Sequence, residues 1–377
     1  MKFSVLVPTF NGGQYLAHTI SSILDQPYQD MELVVSNNCS TDDTSNILSS
    51  FSGDPRLKVI KTEKTIPVNE NWNFALKASS GDYISLIGDD DCLLPGYFEK
   101  MEKILEHYNY PEAVTYNGYS YITPGSVYDN SQSFYQDPFY EFGKEFQQGL
   151  LSQEMRHDIV RDMFRFRVRF PLNIQPHLMS RTGINRINGD IYRAPFPDHY
   201  ALNSLLLKAK SWAYHPEKIM VVGVTPSSCG FHVHNNDTSQ ALNYLGLKIE
   251  DVNFLPGSIL VNGMYAWLNL LKTDHKDQLG DIKIYRAGYV RRQVHSWFLE
   301  YKAGATKPKD LLRRFGKLSF GDWVRLMSSI ADKKSMEQMW TLLCHRNEVQ
   351  VKNVWPRSIP LKDIHNIKEF CNWITDK

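Results

Sequence analysis

The first third of the chain alternates short apolar runs with longer segments whose apolar residues recur every three to four positions. Phe3 to Val7 ("FSVLV") is almost continuously apolar, the pattern of a strand covered on both faces. Tyr15, Leu16, Thr19, Ile20, Ile23 and Leu24 then form one helical stripe, which stops before Pro27. The strand pattern returns in "MELVV", "LKVI" and "DYISLI", and the helical pattern in 42–51 and 69–78. Pro95 opens a further helix over 96–107, since proline suits a first helical position, and "EAVTY" supplies a fifth strand.

This βαβα order predicts an α/β fold with a mostly parallel sheet flanked by helices on both faces. Aromatic and loop-forming residues between about 120 and 170 predict irregular excursions over one sheet edge. From about Asn243 onward the pattern turns helical. Two parts are therefore expected: an α/β domain over 1–240 and a helical C-terminal extension over 241–377.

Composition narrows the function classes. A formal net charge of +1 gives no global field for nucleic acid. The five cysteines lie far apart with no CxxC pair, which predicts reduced thiols in a cytoplasmic setting rather than a disulfide framework or zinc cluster. No stretch approaches the roughly 18 apolar residues of a membrane span.

Ligands of parallel sheets bind beyond the carboxyl ends of the strands. Three polar clusters fall there: "PTFN", "SNNCSTDD" and "GDDD". The last holds three adjacent acids, Asp89, Asp90 and Asp91, with no basic residue within five positions. A solvated turn is one reading. A seat for Mg²⁺ or Mn²⁺ is the other, because a hard cation takes oxygen ligands and removes the repulsion among the acids.

Together, "SVLVPTFNGGQYLAHTISSILDQPYQDMELVVSNNCSTDDT" and "GDYISLIGDDDCLLPGYFEKM" resemble the family 2 nucleotide-sugar glycosyltransferases, enzymes of the Rossmann-like GT-A fold. The resemblance is close over about 120 residues and loose to about Ser239. It implies that Asp90 and Asp91 seat Mn²⁺ or Mg²⁺, with Asp89 facing ribose or sugar. Pro8, Thr9, Phe10 and Asn11 would line the nucleotide, with Asn11 also suited to a cap. Where the family usually has two acids this chain has Asn37 and Asn38. Asn38 would read the base through its amide, with UDP the first expectation and dTDP the second. Asp42 and Asp43 suit helix caps.

The same resemblance implies a base for the acceptor hydroxyl about a hundred residues later. Asp198 in "FPDHYALNSLLLK" fits, with an N-cap as its other reading and Asp190 as the second candidate. His177 is expected near donor or acceptor, and His232 or His234 as a late metal or diphosphate ligand, though a structural histidine is the plain alternative. The implied reaction is inverting transfer of a sugar from a nucleoside-diphosphate donor to a saccharide or lipid-linked acceptor, in bacterial surface polysaccharide synthesis.

Two rival readings are a non-catalytic sugar-nucleotide-binding protein and a nucleotide-dependent oxidoreductase. The second lacks the GxGxxG spacing in the turn after the first strand. Finally, Lys283 to Lys334 carries 13 basic and 4 acidic residues interleaved with Trp297, Phe298, Phe315 and Trp323. A helical region with a solvated basic face is one reading. Peripheral contact with the inner face of an anionic membrane is the other.

Overall fold

The computed structural model describes residues 1–126, 132–228, 254–302, 306–328 and 358–377. The chain opens β1 (Phe3–Thr9), α1 (Leu16–Leu24), β2 (Met31–Asn37), α2 (Thr44–Ser50), β3 (Leu57–Lys61), α3 (Val68–Ala78) and β4 (Tyr83–Leu86). This is the order expected from the apolar pattern. Next come β5 (Cys92–Leu93), α4 (Tyr97–His107), β6 (Ala113–Ile122), β7 (Phe134–Gln136), β8 (Gly149–Leu150) and α5 (Gln153–Met163). Then follow β9 (His177–Ser180), α6 (Arg181–Ile184), α7 (Pro197–Lys208) and β10 (Trp212–Val224).

Strands β3, β2, β1 and β4 lie side by side and parallel. Beyond β4 the sheet is mixed. Strand β9 inserts antiparallel between β4 and β6, whereas β10 runs parallel to β6. The expectation of a mostly parallel sheet therefore holds for one half only. "HLMS" is too short to show its direction by periodicity, and the insertion is fixed by partners 60 and more residues away.

Alternation along β1 sorts its side chains. Phe3, Val5 and Val7 face a core with Ile20 and Ile23 of α1 and Phe98 and Met101 of α4. Leu6 faces the other way, into a core shared with Ala75 of α3 and with α5 and α7. Strands buried on both faces are the reason their sequences read as continuous apolar runs.

The C-terminal region comprises α8 (Ile259–Asp274), α9 (Lys276–Leu279), α10 (Arg286–Lys302), α11 (Pro308–Phe315) and α12 (Phe320–Ser328). Trp267 and Leu271 of α8 and Tyr289, Val290 and Trp297 of α10 join the core that holds Tyr200 and Leu205 of α7. The extension thus shares apolar core with the α/β part. The boundary expected near residue 240 lies outside the described residues.

The last twenty residues are not helical extension alone. Strand β11 (Ile359–Pro360) pairs with β7, and α13 (Ile367–Thr375) lays Phe370 against Tyr121 and Tyr135 at 5.4 and 5.5 Å. Among the described residues no helix is long and apolar enough to cross a membrane.

Candidate active site

The carboxyl ends of β1, β2 and β4 stand together, because these strands are neighbours in parallel register. Leu6 pairs with Leu86, so the chain beyond β4 reaches the level of Thr9. The Thr9 hydroxyl donates to Asp89 Oδ2 at 2.5 Å. Gly12 is required beside this bond, since a Cβ there would fall on Asp89 Oδ2 and Thr9 Oγ1. Thr19 of α1 donates to the Asp89 carbonyl at 2.8 Å. Asp89 is thereby fixed from two elements.

The three acids have different surroundings. Asp91 is fully enclosed, and both of its oxygens accept backbone N–H groups: Oδ2 from Gly88 at 2.6 Å and Oδ1 from Gly223 at 2.9 Å. It therefore ties the turn to β10, which differs from the expected place beside a cation. Asp90 Oδ2 accepts from Thr225 Oγ1 at 3.0 Å and Ser228 Oγ at 2.6 Å, both just past β10. Its Oδ1 lies beside Gly88, where a Cβ would crowd it, and receives no hydrogen bond among the described residues. Gly223 is needed for the approach, as a Cβ there would fall on the Asp90 carbonyl.

Burial, followed by the charge of Asp90, pushes the Asp89 carboxyl up to about 7, against the Thr9 hydroxyl. Burial also raises Asp90, against the Ser228 and Thr225 hydroxyls. It raises Asp91 further, with the charge of Asp90 adding to the effect. Tyr15 stands in the same field: burial and then the charges of Asp90 and Asp89 raise its phenol. A divalent cation would relieve this repulsion, and Asp90 Oδ1 is a suitable hard ligand. Among the described residues no three His, Cys, Asp or Glu side chains could hold a metal by themselves. The residues thus fit a cation held by one carboxylate, with further oxygens from a diphosphate.

The first-strand loop lies over these acids. Asn11 adopts a left-handed backbone, φ 55°, and its Oδ1 accepts from Thr41 N at 2.8 Å. That bond joins the two loops, and Phe10 beside it is exposed. Pro8 sits in β1, aligned with Ser36 of β2. Asp42 is a cap, accepting from Thr44 N and Thr44 Oγ1 and also from Gly13 N.

Asn38 is buried and forms a clip. Its Nδ2 donates to the Ile66 carbonyl at 2.8 Å, and its Oδ1 accepts from Ile66 N at 2.9 Å and Thr62 Oγ1 at 3.2 Å. Both ends of the amide expected to read a base are therefore engaged within the chain. His177 lies in the core rather than on an open surface. Its Nδ1 contacts Thr115 Oγ1 at 2.8 Å, Phe170 and Trp212 cover the ring, and burial lowers it to about 3. His232 and His234 lie outside the described residues.

Asp198 is the second residue of α7, after Pro197, and its Oδ1 accepts from His199 N at 2.9 Å. It is half-buried, and burial raises its carboxyl against the pull of His199. The His199 ring stacks on Phe196 at 4.9 Å. Among the described residues no hydrogen bond or ion pair joins Asp198 to the acidic turn. Asp190 is exposed and paired with Lys77 at 2.8 Å. Asp190 and Lys77 line an open cleft of about 660 Å³ with Ile66, Asn73, Phe74 and Arg193, and Asp198 is not part of its lining.

Sequence reasoning missed Thr225, Ser228 and Tyr15. Hydroxyls directly after the apolar run "IMVVGV" were the available signal for the first two, since that strand also ends at this rim of the sheet.

Comparison with known proteins agrees with this geometry. The family described as "Glycosyl transferase family 2" matches residues 4–169. A GalNAc(5)-diNAcBac-PP-undecaprenol beta-1,3-glucosyltransferase of Campylobacter jejuni is 38% identical over 111 residues, which cover 28% of this chain and 36% of that protein. Glycosyltransferase GlyG of Streptococcus pneumoniae is 29% identical over 131 residues, covering 32% and 43%. The matched part thus spans well under half the length of these relatives. Among solved structures, S. aureus TarS 1–349 in complex with UDP-GlcNAc superposes with a TM-score of 0.51 at 14% identity, over 93% of this chain and 81% of that one. That likeness concerns the fold, a GT-A-like mixed α/β sheet with helices beyond it. The family match runs across β1 to α5 and takes in the acidic turn, so residues 4–169 carry the pattern of glycosyl transferase family 2.

Proposed function

We propose that this chain transfers a sugar from a nucleoside-diphosphate donor, a UDP-sugar first, to a hydroxyl of a saccharide or lipid-linked saccharide. The observation that carries the reading is the acidic turn after β4, where three clustered carboxylates leave Asp90 Oδ1 without a partner among the described residues. Asp90 would hold Mn²⁺ or Mg²⁺ against the donor diphosphate. Bound there, the cation would supply charge stabilisation to the leaving nucleoside diphosphate.

The chain's own groups do the remaining work. Thr225 and Ser228 fix the Asp90 carboxylate so that one oxygen is presented. Thr9 holds Asp89 toward the ribose or sugar. Phe10 and Pro8 border the nucleotide, and Asn11 locks the two loops that surround it. Asp198 accepts the proton of the acceptor hydroxyl as that oxygen attacks the anomeric carbon, and a single base implies inversion. Its raised carboxyl suits proton uptake better than an ordinary aspartate would.

The hexosyl or hexosaminyl character of the donor, a surface-polysaccharide acceptor and a cytoplasmic setting at the inner face of the membrane belong to the same proposal. The Campylobacter relative, whose name specifies an undecaprenol-linked acceptor, supports the lipid-linked form.

The test is nucleotide release from a panel of nucleotide sugars, with and without Mn²⁺. UDP release that needs Mn²⁺ and disappears in Asp90→Ala supports transfer. Tight donor binding with no turnover for any acceptor or water would instead favour a sugar-nucleotide-binding protein.

A further inference from the structure

Helix α12 carries four of its five large apolar residues at 320, 323, 324 and 327, one face of a helix at i, i+3, i+4 and i+7. Such a stripe ordinarily faces a core. Here Phe320 is 85% exposed, and Trp323, Val324 and Met327 are exposed as well. The opposite side is the one that packs: Leu326 meets the core, and enclosed Asp322 bonds Arg286 at 3.1 Å. Phe315 of α11 stacks on Trp323 at 5.7 Å. Leu312, one turn before Phe315 and 71% exposed, extends the same apolar surface.

The surface is also positively charged. Lys307, Lys309, Arg313 and Lys317 are exposed on this segment, and none forms an ion pair among the described residues. Of its two acids, Asp322 is enclosed. Phe, Trp and Leu flanked by Lys and Arg are the makeup of helices that lie in a membrane interface, with apolar side chains among the acyl chains and cations at the headgroups. A second copy of the chain would set like charges against each other, which disfavours self-association through this face.

We propose that α11 and α12 form a docking surface for an anionic lipid bilayer. The proposal deepens the reading above by bringing the chain to the place where a lipid-linked acceptor resides, but the surface itself does not depend on sugar transfer.

Co-sedimentation of the full chain with vesicles tests it without any donor or acceptor. Binding is expected to phosphatidylglycerol–phosphatidylcholine vesicles, and not to phosphatidylcholine alone. It should weaken between 0.1 and 1 M salt as the screening length falls from about 10 to about 3 Å. The pairs Phe320→Glu with Met327→Glu, and Lys309→Glu with Arg313→Glu, should each lower partitioning about tenfold or more while leaving donor hydrolysis unchanged. If a variant fails to fold, tryptophan quenching by brominated anionic lipid in the unaltered protein decides the matter instead. No binding by the unaltered protein, variants that bind equally, or a dimer abolished by Phe320→Glu without vesicle binding would each overturn the proposal. Loss of donor hydrolysis with vesicle binding intact would sink the catalytic reading alone.

Discussion

Two polar clusters end the strands on either side of β1, and they differ in how far the fold satisfies them. After β2, Asn37, Asn38, Asp42 and Asp43 are tied down by nearby groups: Asn37 Oδ1 accepts Ser40 N, Asn38 clips Ile66, Asp42 caps Thr44 and Asp43 accepts from Asn46. After β4, Asp91 is just as completely engaged, yet Asp90 keeps one oxygen without a donor among the described residues. Polar residues at strand ends are therefore of two kinds. Some replace water with backbone partners and shape a loop. Others are held by one atom and present another, and only these can take a ligand.

The largest effect expected is on turnover. Asp198→Asn should lower kcat/KM on the order of 10³-fold with donor affinity little changed, as loss of a general base does, measured by nucleotide release and by donor titration. Because burial raises the Asp198 carboxyl, activity should fall on acidification through an apparent pKa above the ordinary aspartate value of 3.8. Equal loss of donor binding would move Asp198 out of the base role.

Asp91→Ala should cost about 3 kcal/mol of stability, because Gly88 N and Gly223 N would be left buried without acceptors. Asp90→Ala should cost much less, since it removes a carboxylate that raises its neighbours. Urea denaturation of the two variants compares them directly, and similar losses would erase the distinction drawn inside the turn. Asn38→Asp should cost about 1–3 kcal/mol, as a carboxylate would face the Ile66 carbonyl in place of a donating amide. An unchanged urea midpoint would show that the clip is dispensable and would return Asn38 to consideration as a base contact.

Much of this was legible in the sequence. The order from β1 to β4, the helix opened by Pro95, the strand-end position of the acids and the cap role of Asp42 follow from local periodicity and local hydrogen bonding, which the chain records directly, whereas the short β5 between the acids and α4 does not. What escaped was non-local. Thr225 and Ser228 meet Asp90 across 135 and 138 residues, and β9 finds its place between strands whose contacts no period reveals. The sequence offers Asn38 as a base contact and His177 either as a ligand contact or as a structural residue, and the enclosure of both depends on Ile66, Phe170 and Trp212. Residue type and strand-end position predict that a polar atom is near the site, but not whether the fold already supplies its partner.

Calorimetric titration of UDP into the protein, with and without Mn²⁺, is the most direct measurement. With Asp90 intact, Mn²⁺ should tighten UDP binding roughly tenfold or more, a coupling of about 1.4 kcal/mol, and Asp90→Asn should abolish that gain without changing metal-free affinity. A gain of equal size in Asp90→Asn, or none with Asp90 present, would contradict a cation held at the end of β4.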